Sequence, residues 1–206
     1  MMQLLYAPTS PFVRKVMVCA HLTGLTDQIQ FLDSAANPIK RDARIATHNP
    51  LAKVPTLILD HGQSLYDSRL ICEYLANLAG DTRLFPHESS QRWPALMRQE
   101  LGNGLLDAAL LARYELTARP VEKQWTAWRE AQLVKVTACL NDIEAQASTL
   151  SIDVPTIGEV TLGCALGYLD FRFPEIDWRA DRPQASRWNE AFQSLPAMLA
   201  TIPRDS

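Results

Sequence analysis

The sequence predicts a small α/β domain followed by an all-helical domain, and three observations lead to this fold class. Short apolar and β-branched runs, separated by turn signals and two helical patterns, fill the first eighty residues. A polar stretch broken by Pro86, GDTRLFPHESSQR, covers residues 80–92. After it, apolar residues recur at helical spacing almost without interruption. We therefore assign residues 1–80 to the α/β domain, 81–90 to a linker and 91–206 to the helical domain.

Composition and charge are those of an ordinary globular protein. Of the 206 residues, 47% are apolar and 21% are charged, which argues against disorder. The formal net charge is -3 and no basic block is present, so we expect no nucleic-acid partner. No apolar run reaches the ~18 residues of a membrane span, and the N-terminus lacks a signal region. We therefore expect a cytoplasmic protein that does not associate with membranes.

The first half of the α/β domain has the pattern strand, helix, strand. Residues 3–6 form a short apolar strand, and a loop containing Pro8 follows it. Ser10 is a favourable N-cap, Pro11 fits the first helical position, and Gly24 ends an amphipathic helix. Residues 29–32 form the second strand, and the polar segment after them predicts only weak helical turns before Asn49.

The second half of this domain has the pattern strand, turn, strand, helix. Residues 56–60 are a run of β-branched residues and leucine, residues 61–63 give a turn signal, and residues 64–66 form a short strand. Asp67 and Ser68 then open a helix whose apolar positions keep helical spacing to residue 78. The complete order, βαβ, a weak helix and then ββα, is that of a thioredoxin-like domain.

The two cysteines that carry out redox chemistry in thioredoxin-like domains are absent from their usual position. The redox motif CxxC opens the first helix of that fold, whereas residues 10–13 here are SPFV, which rules out dithiol exchange at this site. What remains is the Ser10 hydroxyl at a helix N-terminus, which can donate a hydrogen bond to a thiolate. Two alternatives stay open: Ser10 is a plain N-cap, or Thr9 is the donor.

The cysteines lie in apolar helical patterns without metal-ligand spacing and are predicted to be buried free thiols: Cys19, Cys72, Cys139 and Cys164.

Two features of residues 49–75 predict a ligand site. Val54-Pro55 precedes a strand, and a cis bond there would leave the N–H and C=O of Val54 free to pair with an extended peptide. Asp67 and Ser68 offer a hydroxyl and unpaired N–H groups at a helix N-terminus, which suits a carboxylate. A ligand with a peptide middle and a carboxylate end fits both features. The alternative is purely structural, with a loop-to-strand junction at Val54 and an N-cap at Asp67.

The helical domain is predicted to contain four main helices. A long helix runs from Trp93 and ends before Pro120. The next helix carries a packing seam of apolar residues at alternating spacings of three and four, between residues 133 and 150. Thr156 and Glu159 form a capping box, and the helix that follows, residues 160–169, is apolar nearly all round and should be buried. Prolines at 183 and 196 bracket a last helix.

Several segments resemble the cytosolic glutathione S-transferases. The runs NPLAKVP, LILDHGQSLYDS and ICEYL are similar to the glutathione-binding half of that family. The runs TSPFVRKV, NGLLDAALLARYE and GCALGYLDFR are most similar to the bacterial YibF-type, serine-type transferases. The family carries a Ser/Thr-x-x-Asp capping box in its second domain, and Glu159 is a mild departure from it. The resemblance covers essentially the whole chain and implies the glutathione-transferase fold.

The resemblance also implies a glutathione site. The bond before Pro55 would be cis, Val54 would pair with the cysteine of glutathione, and Asp67 with Ser68 would hold its γ-glutamyl end. Lys53 would offer a cation to a glutathione carboxylate, and Ser10 would face the sulfur. The family is dimeric, and its long helix often reaches the partner's ligand, which nominates Asn103 or Asp107. The acceptor pocket is expected between the domains, near Thr9, Ser10 and Phe12 and the Arg113-Tyr114 pair.

The function implied by the resemblance is transfer of glutathione to, or from, a small hydrophobic electrophile, as in detoxification. Glutathione would be the co-substrate, no metal would take part, and the chain would be a homodimer. A second hypothesis is a glutathione-binding or protein-interaction module with little turnover, because a fold alone does not fix function. A third is a specialised isomerase or dehalogenase on the same scaffold.

Overall fold

The protein folds into two units, as seen in a computed structural model that describes residues 1–205. Unit 1 comprises Met1–His87 together with the C-terminal segment that starts at Pro196. Unit 2 comprises Glu88–Leu195. The strands are β1 (Met2–Tyr6), β2 (Ile29–Asp33), β3 (Thr56–Ile58) and β4 (Ser64–Leu65). The α-helices are α1 (Pro11–Leu22), α2 (Ala43–His48), α3 (Ser68–Ala79), α4 (Ser89–Thr117), α5 (Thr126–Gln146), α6 (Ile157–Arg172), α7 (Pro183–Gln193) and α8 (Pro196–Leu199).

Unit 1 is built on a four-stranded mixed sheet in the order β2-β1-β3-β4. Strand β1 pairs in parallel with β2 and antiparallel with β3, and β3 pairs antiparallel with β4. Helices α1 and α3 pack against each other, and both bury an apolar face. The predicted thioredoxin-like order is confirmed.

The hairpin strands are shorter than predicted. The sequence predicted strands over residues 56–60 and 64–66, whereas β3 ends at Ile58 and β4 at Leu65. The turn begins earlier because the N–H of Leu59 donates to Gln63 O and the N–H of Gly62 donates to Leu59 O, both at 2.8 Å. Gly62 has a φ of 87°, a conformation that favours glycine, so it sets the turn.

The C-terminal segment belongs to unit 1, although the sequence analysis assigned residues 91–206 to the helical domain. Helix α8 packs against α1, and the Arg14 guanidinium donates to the carbonyl of Met198 at 3.2 Å. Arg14 is only 5% exposed, and a buried guanidinium requires acceptors. This carbonyl is one of them, so α1 and the C-terminal segment are joined by a polar contact.

Unit 2 is a helical bundle in which α4 contacts both α5 and α6. Helix α4 begins at Ser89, inside the segment predicted as a linker, and Pro94 lies in its second turn, where it removes one backbone hydrogen bond. The α4–α6 contact is close at Gly102, where an added Cβ would lie 2.8 Å from Thr161 Cγ2. The predicted seam of α5 is buried at Val136, Leu140 and Ile143.

The predicted capping box is confirmed at the start of α6. The Thr156 hydroxyl accepts from the N–H of Gly158 at 3.1 Å, and the N–H of Thr156 donates to Glu159 Oε2 at 2.9 Å. The other carboxylate oxygen of Glu159 accepts from the Arg98 guanidinium at 2.8 Å. Because every residue from Ile157 to Leu169 is buried, α6 is the central helix of unit 2, as its uniformly apolar sequence predicted.

Candidate functional site

The N-terminus of α1 presents an available hydroxyl. Ser10 is the N-cap, and its oxygen accepts a hydrogen bond from the N–H of Val13 at 3.3 Å. The N–H of Ser10 donates to the carbonyl of Ala7 at 3.0 Å, which closes the loop before the helix. The Ser10 O–H has no acceptor among the described residues. Ser10 therefore serves as an N-cap and still has a proton to donate.

The neighbouring candidates Thr9 and Phe12 lie beside this N-cap. Thr9 is half-buried in the turn between β1 and α1, and its hydroxyl makes no hydrogen bond within residues 1–205. Phe12 is half-buried as well, and the Lys15 ammonium lies 5.9 Å from the centre of its ring. The structure thus leaves both Ser10 and Thr9 as hydroxyls able to donate.

Residues 49–55 form a loop that presents the backbone of Val54. The Val54-Pro55 bond is cis, as predicted. Asn49, 1% exposed, anchors the loop because its side-chain amide donates to Lys53 O at 3.1 Å and to Thr56 Oγ1 at 3.0 Å. Across the described chain, neither the N–H nor the C=O of Val54 has a hydrogen-bond partner. The backbone of Val54 is therefore left open on an anchored loop.

The N-terminus of α3 has a carboxylate and an unpaired hydroxyl side by side. Asp67 is the N-cap and accepts from the N–H of Arg69 at 2.9 Å and from its guanidinium. Burial alone would raise the pKa of Asp67, but these hydrogen bonds and the charges of Arg69 and Lys15 outweigh it, so the pKa is lowered and the group is anionic. Ser68 is 2% exposed, and neither its hydroxyl nor its N–H has a partner in the part of the chain that is described.

Two further charged residues of unit 1 bear on this site. Lys53, which the sequence nominated, is exposed and carries no ion pair within the described residues. Lys15, which the sequence analysis did not nominate, is completely buried in α1 and lowers the pKa of Asp67 through its charge. Lys15 lies three residues after Phe12 and four before Cys19, so helical spacing places it on the inner face of α1, but a lysine at such a position is ordinarily exposed and its burial was not expected.

The remaining candidates belong to unit 2. Asn103 is 3% exposed, and its amide donates to Glu100 Oε1 at 3.2 Å, whereas Asp107 is exposed on α4. Arg113 and Tyr114 are half-buried on α4. Burial raises the pKa of the Tyr114 hydroxyl, and the charge of Arg113 partly opposes this. The more accessible of the two side chains nominated for a cross-subunit contact is therefore Asp107.

The described residues hold no cluster of three or more His, Cys, Asp or Glu side chains able to bind a metal ion. Within residues 1–205 none of the four cysteines forms a disulfide; three are buried, and Cys139 is half-buried. Burial and the nearby Asp142 raise the pKa of the Cys139 thiol, which makes it a weaker nucleophile than an ordinary cysteine at neutral pH. Among residues 1–205, no helix combines the length and apolarity that a membrane span requires.

Comparisons with known proteins agree with this geometry. Family models describing the glutathione S-transferase N-terminal and C-terminal domains match residues 9–78 and 126–191. The chain is 30% identical to an uncharacterized GST-like protein, YibF, of Escherichia coli K12 over 98% of both chains. A glutathione transferase family member from Pseudomonas fluorescens Pf-5, crystallised with glutathione, is 41% identical over the full length of both chains, with a TM-score of 0.96. A second crystal structure from that organism, with S-(propanoic acid)-glutathione bound, is 40% identical over 99% of this chain and 100% of that one, with a TM-score of 0.91. This chain belongs to the glutathione S-transferase family.

Proposed function

We propose that the protein is a glutathione transferase that binds glutathione in unit 1, holds its thiolate with the Ser10 hydroxyl and transfers it to, or from, a small hydrophobic electrophile. The observation that carries the proposal is a set of open hydrogen-bonding groups within one unit. The Ser10 O–H, the backbone of Val54, and the hydroxyl and N–H of Ser68 all lack partners in the described chain. Three such groups in one unit support a ligand that pairs with all of them.

The chemistry of these groups matches glutathione. A peptide that lies along Val54 can exchange backbone hydrogen bonds with it, as an added strand does. The γ-glutamyl end carries a carboxylate and an ammonium group; Ser68 at the N-terminus of α3 suits the carboxylate, and anionic Asp67 suits the ammonium. Lys53 is a cation for the carboxylate at the other end. The partial positive charge at the N-terminus of α1 then adds to the Ser10 hydrogen bond on the thiolate.

The ligands of the relatives support both halves of the proposal. The Pseudomonas structures hold glutathione in one case and S-(propanoic acid)-glutathione in the other. The second ligand has a short carboxylic acid on the glutathione sulfur, so electrophiles bearing an acid group are the first acceptor class to test here. We further propose that the protein acts in the cytoplasm and takes part in detoxification, as the family resemblance implies.

Calorimetric titration with glutathione, followed by a turnover screen, tests the proposed function. The screen uses aryl and benzyl halides, activated alkenes and disulfides, each with and without a carboxylate. Saturable glutathione binding together with turnover of at least one class supports a transferase. Binding without turnover of any class would instead support the glutathione-binding module, and no binding would contradict both.

Replacing Ser68 with alanine is expected to weaken glutathione binding by about 1–3 kcal/mol, because a buried carboxylate loses a hydroxyl partner. The affinity is measured by calorimetry on the wild type and the variant. Ser64→Ala, a half-buried serine on β4 of the same unit, is the matched control and should leave the affinity unchanged. An unchanged affinity in Ser68→Ala would remove Ser68 from the site.

The protein is expected to be a homodimer. Trp93 and Met97 lie one turn apart on α4 and are 63% and 68% exposed, which leaves a large apolar surface without a cover in the single chain. A two-fold interface would bury the same patch on both copies. Light scattering at micromolar concentration should therefore give twice the mass of the chain, and Met97→Glu should shift it toward the monomer. A monomeric wild type would contradict this and would exclude a cross-subunit role for Asn103 or Asp107.

A further inference from the structure

The last part of the chain forms a compact turn in unit 1. The hydroxyl of Thr201 donates to the carbonyl of Ala197 at 2.8 Å and lies 3.3 Å from the carbonyl of Met198, which also accepts from the N–H of Thr201 at 3.3 Å. All three residues are buried. Buried polar groups that are bonded to one another hold a segment in one conformation. We call residues 196–201 the C-terminal turn.

The C-terminal turn packs against α1 and is joined to it by a buried charge. Met198 is completely buried, and its carbonyl accepts a hydrogen bond from the Arg14 guanidinium at 3.2 Å. Because Arg14 is itself almost fully buried, water does not compete for this contact. A hydrogen bond from a charged donor is stronger than one between neutral groups. It therefore fixes the position of Arg14 relative to the C-terminal turn.

Arg14 lies one helical turn after Ser10 and is bonded to it. The N–H of Arg14 donates to the carbonyl of Ser10 at 3.0 Å, which is the first backbone hydrogen bond of α1. The N–H of Val13 donates to the Ser10 hydroxyl oxygen at 3.3 Å. Residues 13 and 14 thus hold both the backbone and the side chain of Ser10, and the C-terminal turn holds Arg14.

The other attachment of Ser10 is a loop. The N–H of Ser10 donates to the carbonyl of Ala7 at 3.0 Å, and Ala7 lies in the loop that follows β1. Loops are more mobile than the helices and strands that they connect. The direction of the Ser10 hydroxyl is therefore set mainly by the first turn of α1, whose position depends on Arg14.

We infer that Arg14 is a positioning residue for the thiolate-binding hydroxyl, and that the C-terminal turn, 184 residues further along the chain, helps to set how strongly Ser10 holds the glutathione thiolate. The inference rests on the proposed function, because it requires the hydrogen bond from Ser10 to the thiolate. A functional group must be held within about 0.5 Å of its working position, and a hydrogen bond weakens when its geometry is lost. Arg14 acts in this account through Ser10 alone.

Replacing Arg14 with methionine tests the inference, because it keeps a long side chain and removes the guanidinium. We expect the pKa of the bound glutathione thiol to rise by about half a unit to one unit, which is about a threefold to tenfold loss in its acid dissociation constant. The affinity for S-methylglutathione, whose sulfur cannot ionise, should stay within about twofold because the contacts at Val54 and Ser68 remain. Arg83→Met removes an equal charge from an exposed position of unit 1 and should change neither value.

A double-mutant cycle shows whether Arg14 acts through Ser10. In the Ser10→Ala background, adding Arg14→Met should leave the thiol pKa where Ser10→Ala alone has put it, because no hydroxyl remains to be positioned. An equal rise in both backgrounds would mean that the guanidinium acts directly on the thiolate through its charge, and would overturn the inference. A loss of S-methylglutathione affinity as large as the change in the thiol dissociation constant would also overturn it, because Arg14 would then only hold unit 1 together.

Thr201→Val approaches the same contact from the C-terminal turn. It keeps the shape of the side chain, removes the hydroxyl that bonds the turn, and leaves Arg14 in place, so we expect a smaller rise of the thiol pKa. An unchanged thiol pKa in Arg14→Met would overturn the inference; if that variant does not fold, an unchanged pKa in Thr201→Val would do so. The unaltered protein separates the two failures. If its bound thiol titrates below free glutathione while the variants match it, the inference alone fails, whereas an unshifted thiol in the unaltered protein contradicts the proposed function and the inference together.

Discussion

Replacing Ser10 with alanine is expected to raise the pKa of the thiol of bound glutathione by roughly one to two units, because a charge-assisted hydrogen bond of ~1.5–3 kcal/mol to the thiolate is lost. A free thiol titrates near ~8.5, and lowering it by two units requires roughly 2.7 kcal/mol. The Ser10 hydrogen bond, together with a dipole contribution of ~0.3–1 kcal/mol from α1, is sufficient. The pKa is followed through the ultraviolet absorbance of the thiolate as pH is varied.

The control for this prediction is the neighbouring hydroxyl. Thr9→Val preserves the shape of the side chain and removes the hydroxyl, which makes no hydrogen bond in the described chain. Thr9→Val should leave the absorbance curve in place. In Ser10→Ala, the affinity for glutathione should change less than the pKa of its thiol, because the contacts at Val54 and Ser68 remain. If Thr9→Val moves the curve and Ser10→Ala does not, the donor is Thr9.

Replacing Glu159 with alanine is expected to lower the free energy of unfolding of unit 2 by about 3–4 kcal/mol. Glu159 is 1% exposed, completes the capping box with Thr156, and pairs with Arg98, which is 18% exposed in its side chain. Its loss removes the carboxylate from the mostly buried Arg98 guanidinium, which keeps only the neutral acceptors Gln146 and Thr149, and it leaves the N–H of Thr156 without its acceptor. Denaturant unfolding followed by tryptophan fluorescence measures the effect, because all five tryptophans of the chain lie in unit 2.

An exposed ion pair of the same unit is the matched control for Glu159. Glu175 pairs with Arg129 at 3.5 Å and is 57% exposed in its side chain, so Glu175→Gln should cost less than about 1 kcal/mol. If Glu159→Ala lowers the free energy of unfolding by as little as the control does, the capping box and its ion pair do not stabilise α6.

The local features of the fold could be predicted from the sequence because each depends on neighbouring residues. The capping box requires only Thr156 and Glu159 at the right spacing, and the buried seam of α5 follows from its apolar period. The cis Val54-Pro55 bond was also predicted, from a proline placed just before a strand. The glutathione-binding residues were nominated from the same short stretch, and the role of each of them remains a proposal.

The features that escaped prediction depend on contacts between residues far apart in the chain. Nothing in the C-terminal sequence indicates that this segment returns to unit 1. The polar contact that joins it to unit 1 is a hydrogen bond from Arg14 to the carbonyl of Met198, 184 residues later, and a backbone carbonyl leaves no signal in the sequence. Lys15 escaped for a related reason: spacing identifies apolar faces, but it does not show that a lysine is covered.

Titration of glutathione bound to the unaltered protein tests the central claim most directly. The ultraviolet absorbance of the thiolate is recorded across pH for saturating glutathione with the protein and for glutathione alone. If unit 1 holds the sulfur at the N-terminus of α1, the bound thiol titrates about two units below the free value of ~8.5. A bound thiol that titrates with free glutathione, although calorimetry shows that the site is filled, would contradict the account.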